Sequence, residues 1–426
     1  MSENATGGDR VVVVGAGLAG LVAAIGLAKA GRKTTLVTFG LGGLQLGQGT
    51  IDILGYTGDE HHTLIPQPFE GMDDLPENHP YRVAGADAVR AGLGVLTEAL
   101  GEGVLVGEAE TNGLYPTAVG ALRPTALVPA SMAAGRCEPG KKFLIVGVHE
   151  LKDFHPELIA GNINRTPLPD GDPIPARHAS FSKPAREGEI DANPVNYARA
   201  MDGAQFRRDF AAKVKALVQP GETVGVPAVL GLNDPAVHAE VEQIVGAPVF
   251  EIVSQPPSVP GMRLNQQLTA AAKAAGVRLV MGSKVQGLVT AGGRVTGVTV
   301  ATAGRSKVIP ADAVVHCPGG FESGALAVDS YNKVSETVFG LPVTATDATE
   351  LIHGDYWGKP QGLFLVGVAT DESMRPVDAG GAVVHPNLYA AGGILAGSTR
   401  WEEKSGEGIS LGSAMKAVAA ITEGGN

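Results

Sequence analysis

The sequence predicts an α/β protein whose first sixty residues form a nucleotide-binding βαβ unit. A β-branched run at 10–14 precedes the glycine turn GAGLAG, and apolar residues then recur at helical spacing up to Gly31. A second buried run at 33–38 completes a strand–turn–helix–strand unit of about thirty residues. The 60 glycines of the chain suit a fold with many tight turns between strands and helices.

Composition narrows the class of protein. A chain of 426 residues exceeds one compact core, and 44% apolar residues are enough to build two. The formal charge of −11 argues against a nucleic-acid-binding surface, which needs clustered Lys and Arg. The only cysteines are Cys137 and Cys317, without a CxxC pair. We therefore expect no metal site and no iron–sulfur cluster held by this chain alone.

Strand and helix patterns return near the C-terminus, which predicts a discontinuous domain built from both chain ends. In the middle of the chain, buried strands are expected at 143–148 and 223–230, whereas 162–194 is expected to be a loop. The predicted domains are a Rossmann-like FAD/NAD(P)-binding domain formed by 1–60, 262–325 and 384–426, and an inserted α+β cap or substrate domain formed by 61–261 and 326–383.

Gly15, Gly17 and Gly20 form a GxGxxG motif between the predicted strand and helix. The first glycine permits the tight turn, the second lets a pyrophosphate approach the backbone, and the third lets the helix pack against the strand. The N-terminus of the helix offers N–H groups and a partial positive charge to a phosphate. These glycines are therefore predicted to bind the phosphates of a nucleotide cofactor.

Thr38 ends the second predicted strand, where dinucleotide sites usually carry Asp or Glu for the adenosine ribose. A threonine can hydrogen-bond, but not as an acidic acceptor. Two explanations are open: a dinucleotide is held differently, or the cofactor is a mononucleotide such as FMN.

The next segment, LGGLQLGQGTIDILG, is predicted to approach a flat ligand. Its glycines, among them Gly49, allow close backbone approach, and Gln45, Gln48 and Thr50 can hydrogen-bond flavin heteroatoms. A flexible loop without a ligand is the alternative.

Two predicted strands near the C-terminus end in paired glycines, and a further glycine-rich segment opens the last helix. These residues are Gly319, Gly320, Gly392, Gly393, Ser405, Gly406 and Gly408. Flavoproteins of the glutathione-reductase type commonly close their site with LYAAG followed by such a helix start. That N-terminus can face the flavin N1/O2 edge and stabilise the anionic reduced ring. The pattern favours a flavin over a nicotinamide.

Candidate substrate residues follow from their chemistry. Arg123, in YPTAVGALRPT, and Arg400, in the glycine-rich C-terminal segment, carry the permanent bidentate charge that suits a phosphate. His353, in HGDYWG, is the preferred general base for the proton of an alcohol, because imidazole has a suitable pKa. His149 and His385 are rivals for that role.

Taken together, these motifs resemble the B-type subunit family of the anaerobic glycerol-3-phosphate dehydrogenase. The resemblance covers most of the chain. The matching segments are GAGLAG with a Thr-ending second strand, GQGTIDIL, YPTAVGALRPT, FLIVGVHELKDF, VGVPAVLGL, PPSVPGMRL and the C-terminal glycine segments.

This resemblance implies a flavoprotein assigned FMN, with FAD as the alternative, acting with an A-type catalytic partner and a membrane-associated, C-type iron–sulfur partner. It implies that the complex oxidises sn-glycerol 3-phosphate to dihydroxyacetone phosphate and passes electrons to quinone, supporting fumarate or nitrate respiration. A cytoplasmic location, or one on the inner face of the cytoplasmic membrane through a partner, is implied as well. The uncharged stretch 11–28 is interpreted as buried strand and helix, not as a membrane span.

Three other functions stay open at this point. The chain can be an electron-transfer or scaffold flavoprotein subunit without substrate chemistry of its own. It can be another flavin-dependent reductase or desaturase that acts on an apolar molecule. An NAD-dependent dehydrogenase is the third, and a yellow protein with a flavin spectrum would exclude it.

Overall fold

The computed structural model describes residues 9–169, 171–302, 304–355 and 358–424. Residues 1–8 of the predicted nucleotide-binding domain, its last two residues, and the Tyr–Trp pair of the HGDYWG motif lie outside the described residues. The chain forms two compact units. The first unit comprises residues up to 43, 52–102 and 267 onwards; the second comprises 44–51 and 103–266.

Strands and α-helices occur throughout the described chain. The strands are β1 Arg10–Val14, β2 Lys33–Thr38, β3 Leu105–Gly107, β4 Gly113–Pro116, β5 Leu122–Thr125, β6 Leu127–Pro129, β7 Phe143–Val148, β8 Ala176–Phe181, β9 Thr223–Pro227, β10 Val249–Ile252, β11 Arg278–Met281, β12 Val285–Ala291, β13 Arg294–Thr302, β14 Arg305–Pro310, β15 Ala313–His316, β16 Leu326–Val328, β17 Val334–Glu336 and β18 Leu388–Ala390. The helices are α1 Leu18–Lys29, α2 Pro80–Ala84, α3 Ala86–Leu100, α4 Pro156–Ile163, α5 Pro194–Met201, α6 Ala204–Lys215, α7 Val237–Val245, α8 Val259–Ala274, α9 Arg400–Glu403 and α10 Gly406–Glu423. None of the helices in the described part of the chain has the length and apolarity that a membrane span requires.

A five-stranded parallel sheet forms the centre of the first unit, in the order β11-β2-β1-β15-β18. The valines of β1 are buried, as expected for a strand covered on both faces. Because β1 pairs with β15, and β15 with β18, strands from the two chain ends lie side by side. This confirms the predicted α/β class of the nucleotide-binding core.

Helices α1, α3 and α10 pack together beside this sheet. The contact between α3 and α10 depends on glycine: a Cβ atom at Gly92 would lie 2.7 Å from the carbonyl oxygen of Leu411. Gly412, on α10, approaches Val89 with similar closeness. The segment 61–102, expected in the cap, therefore belongs with the first unit.

The segment 326–383, also expected in the cap, clusters with the first unit as well. Its own small core contains Val334, Ala348 and Val366. The backbone N–H of Val368 donates to Ile394 O at 2.9 Å, and that of Ala390 donates to Met374 O at 2.8 Å. These backbone hydrogen bonds attach the segment to the strand and turn that precede the last helix.

The second unit contains its own parallel sheet, in the order β10-β9-β7-β8, with helices in the connections. Small antiparallel pairs, β3 with β6 and β4 with β5, accompany it. We expected an α+β arrangement for the inserted domain. The second unit instead contains a doubly wound parallel α/β sheet with additional antiparallel strand pairs. The prediction of a loop across 162–194 was wrong, because β8 lies within it. Its sequence, ARHASF, lacks β-branched residues and is only half-buried, so it carries no strand pattern.

We expect glycine in α3 to matter only where α10 packs against it. Gly92→Ala should lower the free energy of unfolding by about 1–2 kcal/mol, because the clash with the Leu411 backbone outweighs the gain in helix propensity. Gly94→Ala, on the same helix but facing open space, is the matched control and should raise it by about 0.5–1 kcal/mol. Denaturant unfolding measures both. Equal stability of the two variants would contradict the described packing.

Candidate functional site

Three glycine turns converge at the carboxyl edge of the first unit's sheet. Val14 is in register with His316, and His316 with Ala390, so the turns that follow β1, β15 and β18 begin side by side. In open α/β sheets this edge is where ligands bind. The structure thus brings together the glycine pairs predicted from opposite ends of the sequence.

Gly15 and Gly20 allow the first turn to close. Gly15 has a φ of +103°, and a Cβ atom there would lie 2.1 Å from the carbonyl oxygen of Cys317. A Cβ atom at Gly20 would lie 2.0 Å from the carbonyl oxygen of Gly15. No other residue fits either position without moving backbone.

Gly17 differs from these two glycines because its missing side chain leaves open space. A Cβ atom at Gly17 would meet nothing within 4 Å, and its backbone is extended. Gly17 is also the N-cap of α1, whose first turn has neither a side-chain cap nor an acidic residue. We call the space in front of Gly17 and the first turn of α1 the phosphate cradle, since it offers N–H groups and the positive end of the helix dipole.

The hydroxyl of Thr38 is buried at the end of β2 and donates to the carbonyl oxygen of Gly40 at 2.6 Å. Because the hydroxyl proton is already donated to Gly40, the Thr38 oxygen can only accept a hydrogen bond from a ligand. A ribose hydroxyl could donate to it as it would to a carboxylate, but without the charge. Gly42 then brings the chain back to the first turn, because a Cβ atom there would lie 2.4 Å from Ala16 O.

Arg400 lies over the other two glycine turns. A Cβ atom at Gly393 would be 2.7 Å from Arg400 Nη1, and one at Gly320 would be 2.8 Å from Nη2. Glu322 faces the same guanidinium at 3.3 Å. Gly392, with a φ of +75°, brings the third turn to α1, where its Cβ would lie 2.9 Å from that of Ala19. Arg400, one of the candidate phosphate-binding residues in the sequence, therefore lies beside two of the glycine turns at the carboxyl edge.

A buried hydrogen bond between His79 and Glu403, which no sequence motif predicted, holds the loop carrying Arg400 in place. His79 Nε2 lies 3.1 Å from Glu403 Oε2, and both side chains are almost fully buried. Glu403 also accepts from Thr399 N at 2.9 Å and from Ser405 Oγ at 2.8 Å. Burial alone would raise the pKa of Glu403, but His79 and these donors outweigh it and lower the pKa. Glu403 is therefore an ionised structural anchor.

The start of α10 is held by a second buried contact. The hydroxyl of Tyr81 donates to the backbone oxygens of Ile53 and Ser405, and burial raises its pKa. The Gly408 N–H donates to the carbonyl oxygen of Asp52 at 3.0 Å, so part of this N-terminus is already satisfied by the chain. A Cβ atom at Gly406 would lie 3.9 Å from the Cβ atom of Arg400.

His353 lies on the surface of the first unit. Its Nδ1 is 3.1 Å from the side-chain amide nitrogen of Gln361, which donates to it, and its backbone N–H donates to the oxygen of the same side chain at 2.9 Å. In neutral imidazole this pairing leaves the proton on Nε2. A base role at Nε2 therefore requires Gln361 to release Nδ1.

Cys317 and His316, directly before the second glycine turn, are buried. Burial raises the pKa of the Cys317 thiol to about 12, so it stays protonated. His316 Nε2 lies 3.1 Å from Glu336. Burial would raise the pKa of Glu336, yet His316 and the N–H groups of Phe339 and Leu341 lower it. This pair attaches the segment after β17 to the sheet.

In the second unit, Gln48, Thr50 and Arg123 line one pocket. Arg123 pairs across the β4–β5 ladder with Tyr115, which lines the pocket as well. The remaining lining residues are Pro116, Thr125, Met132, Phe250, Glu251 and Val253. Residues predicted separately for a flavin and for a phosphate therefore share a pocket within this unit.

Glu251 contributes a carboxylate to this pocket, but its charge is compensated. Arg263 binds it through two nitrogens, at 2.7 and 3.0 Å, and Ser131 donates to it at 2.6 Å. Burial would raise the pKa of Glu251, and these partners lower it. Gln45 and Gly49 do not line the pocket. Gln45 O accepts from Ser258 N, and a Cβ at Gly49 would lie 2.8 Å from the backbone just inside α8.

The carboxyl edge of the second unit's sheet is occupied by a carboxylate of the chain itself. Asp202 accepts hydrogen bonds from the backbone N–H groups of Leu232, Asn233 and Asp234, at 3.0, 3.1 and 3.2 Å. These N–H groups belong to the loop after β9, where a doubly wound fold often binds an anionic ligand. Here that position is satisfied internally.

Comparison with known proteins identifies the family. A family model described as an FAD binding domain matches residues 10–409. A probable B-type subunit of anaerobic glycerol-3-phosphate dehydrogenase from Halobacterium salinarum is 34% identical over 424 residues, covering 97% of this chain and 98% of its own. The chain belongs to the B-type subunit family of anaerobic glycerol-3-phosphate dehydrogenase. This confirms the resemblance drawn from its motifs.

Other similar proteins were found for both sequence and structure. A member of the B-type subunit family from Pectobacterium carotovorum is 29% identical over 430 residues, covering 98% of this chain and 99% of its own. Among solved structures, a flavocytochrome c3 fumarate reductase in an open conformation gives a TM-score of 0.46 at 11% identity, covering 99% of this chain and 79% of its own. The matching family model describes an FAD binding domain, so the cofactor of this chain is a flavin; nothing in the comparisons points specifically to FMN.

The phosphate cradle fits such a cofactor, and Gly17 tests it. Gly17→Ala should lower the free energy of unfolding of the flavin-free chain by no more than about 1 kcal/mol, because the new methyl group meets open space and only the N-cap preference for glycine over alanine is lost. Flavin affinity should fall at least tenfold, about 1.4 kcal/mol, because the methyl group occupies the path of the phosphate. Flavin titration followed by fluorescence measures the affinity. Gly40→Ala, also facing open space, is the control. Normal flavin affinity of Gly17→Ala would contradict the cradle.

Glu403 predicts a pH dependence of stability. Because its pKa is lowered in the fold, the carboxylate stabilises the chain above its unfolded pKa of about 4.3, and this contribution is lost as the pH falls through the folded value. Glu403→Gln should lower the free energy of unfolding by about 1–3 kcal/mol at neutral pH. The difference from the original chain should shrink below about pH 4.

The control for this variant is its neighbour Glu402. Burial raises the pKa of Glu402, so its charged form is disfavoured in the fold. Glu402→Gln should therefore leave stability at neutral pH unchanged or raise it. Unfolding in denaturant at several pH values measures both variants, and a similar loss in both would contradict the anchoring role of Glu403.

Proposed function

We propose that this chain is the FAD-dependent subunit of a respiratory glycerol-3-phosphate dehydrogenase, and that it oxidises sn-glycerol 3-phosphate to dihydroxyacetone phosphate. The observation that carries the proposal is the convergence of three glycine turns and Arg400 at one sheet edge, in a chain related over its full length to the B-type subunit family. The glycine turns suit a nucleotide cofactor, and Arg400 suits an anionic substrate beside it.

FAD is the proposed cofactor because the first unit offers more than a mononucleotide needs. The cradle at Gly17 suits a pyrophosphate, and the Thr38 oxygen at the end of β2 can accept from the adenosine ribose. The lack of an acidic residue at this position is thus compatible with a dinucleotide held by a neutral acceptor. The description of the matching family as an FAD binding domain supports the same choice.

The residues of the chain would bind the substrate and move its proton. Arg400 is proposed to bind the phosphate group, since guanidinium forms paired hydrogen bonds with phosphate oxygens. Within the second unit, Arg123 is proposed as an anion-binding residue of its own pocket. His353 is proposed to accept the hydroxyl proton after Gln361 releases its Nδ1. A bound flavin supplies the acceptor for the hydride that leaves the carbon carrying that hydroxyl. Within the first unit, Ser405 and the paired glycines are proposed as further contacts of the flavin. Within the second unit, Gln48 and Thr50 are proposed to hydrogen-bond a ligand in the pocket that they line.

The onward path of the electrons is proposed to run through partner proteins of the same complex. These are the A-type catalytic partner and the C-type iron–sulfur partner, with quinone as the acceptor during respiration with fumarate or nitrate. The relatives' designation as one subunit of a larger enzyme supports the existence of partners. We propose a cytoplasmic location, on the inner face of the membrane where the C-type partner attaches the complex.

A second candidate function is an electron-transfer or scaffold subunit that holds flavin but leaves substrate oxidation to the A-type catalytic partner. The exposed position of His353, with Nδ1 already hydrogen-bonded to Gln361, favours this candidate. The two candidates differ in whether this chain alone reacts with the substrate.

We expect the purified chain to release FAD on denaturation, identified by chromatography against FAD and FMN standards. Under anaerobic conditions, sn-glycerol 3-phosphate should bleach the flavin absorbance of the chain alone, and glycerol should not, since it lacks the phosphate. Arg400→Gln should slow this reduction by about a hundredfold, because one charge-assisted phosphate contact contributes about 2–3 kcal/mol. Bleaching only after addition of the A-type catalytic partner would support the second candidate.

A further inference from the structure

The guanidinium of Arg400 lies in a space that exists because Gly320 and Gly393 have no side chains. We call this space the seat of Arg400. The guanidinium touches the positions where Gly393 and Gly320 would carry Cβ atoms, at 2.7 and 2.8 Å. Any other residue at either glycine would displace it. Because these glycines follow neighbouring strands, β15 and β18, the seat is fixed by the sheet and not by a flexible loop.

Glu322 is the anion that faces this seat. Its Oε1 lies 3.3 Å from both Nη1 and Nη2 of Arg400, and its Oε2 lies 3.4 Å from Nη2. Close charge-assisted pairs are about 2.7–2.9 Å long, so this pair is loose. The Glu322 side chain is 53% exposed and that of Arg400 is 29% exposed. Solvent screens a pair of this exposure, and separating it costs little.

The backbone around Glu322 does not depend on this pair. Ser323 Oγ donates to Gly320 O at 3.0 Å, and the N–H groups of Gly324 and Ala325 close the turn at 3.1 Å. The carboxylate can therefore leave Arg400 by rotation of its own side chain while the glycine turn stays in place.

We propose that Glu322 is an internal placeholder that the phosphate group of the substrate displaces from Arg400. Without a ligand, Glu322 neutralises the guanidinium. A phosphate ester carries nearly two negative charges at neutral pH and three acceptor oxygens, so it competes successfully with one carboxylate. An uncharged alcohol or a weakly bound monoanion does not. The identity of the displacing oxyanion as a phosphate ester rests on the proposed function; the exchange itself rests on the geometry.

If Glu322 competes with the ligand for Arg400, its removal changes ligand affinity in the opposite direction from removal of a residue that supports Arg400. Removing the charge of Glu322 should make an oxyanion bind more tightly, whereas removing a residue that positions Arg400 would weaken binding. Inorganic phosphate is the probe, titrated calorimetrically into the flavin-loaded protein. Glu322→Gln should bind phosphate about three- to tenfold more tightly than the original chain, and Arg400→Gln should abolish the binding.

Glu350→Gln is the control for net charge, because Glu350 is an exposed glutamate of the same unit. It should leave phosphate affinity within about twofold of the original. The flavin midpoint potential should be the same in Glu322→Gln and the original chain, and equal flavin content shows that both are folded. Unchanged or weaker phosphate binding in Glu322→Gln would overturn the proposal, as would a shifted potential without a change in affinity.

The same variants separate this inference from the proposed function. If sn-glycerol 3-phosphate fails to bleach the flavin while Glu322→Gln still tightens phosphate binding, the oxyanion exchange stands and the substrate assignment fails. If bleaching occurs and Glu322→Gln reacts with an unchanged KM for the substrate and unchanged phosphate affinity, the exchange fails and the dehydrogenase assignment stands.

Discussion

Close approach of backbone to backbone at one sheet edge is the constraint on which the first unit depends. The carbonyl oxygens of Gly15 and Cys317 lie where Cβ atoms of Gly20 and Gly15 would stand. Such contacts let the turn after β1, the start of α1 and the turn after β15 share one small volume. Everything proposed for this edge, from the phosphate cradle to the seat of Arg400, requires that these turns stay within van der Waals contact.

Two buried carboxylates keep the surrounding loops in position. Glu403 collects hydrogen bonds from His79, Thr399 and Ser405, and Glu336 collects them from His316 and nearby N–H groups. In each case a buried charge is stabilised by several donors, so the loop cannot move without exposing an unpaired ion. Glu322 differs from both, since it is exposed and loosely paired. The first unit thus has two carboxylates that hold loops in place, Glu403 and Glu336, and one at the sheet edge, Glu322, that is proposed to exchange with a ligand.

The sequence was sufficient to predict the parts of the fold that obey local rules. β1, GAGLAG, α1 and β2 form a short unit whose periodicity and glycine spacing specify it. The glycines before α10 were predicted in the same way. The His79–Glu403 pair was not, because its members are 324 positions apart and neither belongs to a recognisable motif. The strand β8 was missed because a half-buried edge strand needs no β-branched pattern.

Domain assignment was harder to predict for a related reason. Hydrophobic periodicity indicates which face of an element is buried, but not against which element it packs. Gly92 allows α3 to pack closely on α10 through a contact with the backbone of Leu411. The hydrophobic pattern of α3 alone does not predict that contact. In the second unit, alternating strands and helices could have indicated a doubly wound sheet had β8 been recognised. Its internal ligand, Asp202, follows from no motif.

The pairing of β1 with β15 has a consequence for biosynthesis. β1 leaves the ribosome early, whereas its neighbour β15 begins at Ala313, after the whole of the second unit has been made. One edge of β1 therefore keeps unpaired N–H and carbonyl groups until β15 has been synthesised. An exposed parallel edge of valines is prone to association with other chains. Most of the second unit, residues 103–266, lies between these two strands in the sequence and is synthesised during that interval.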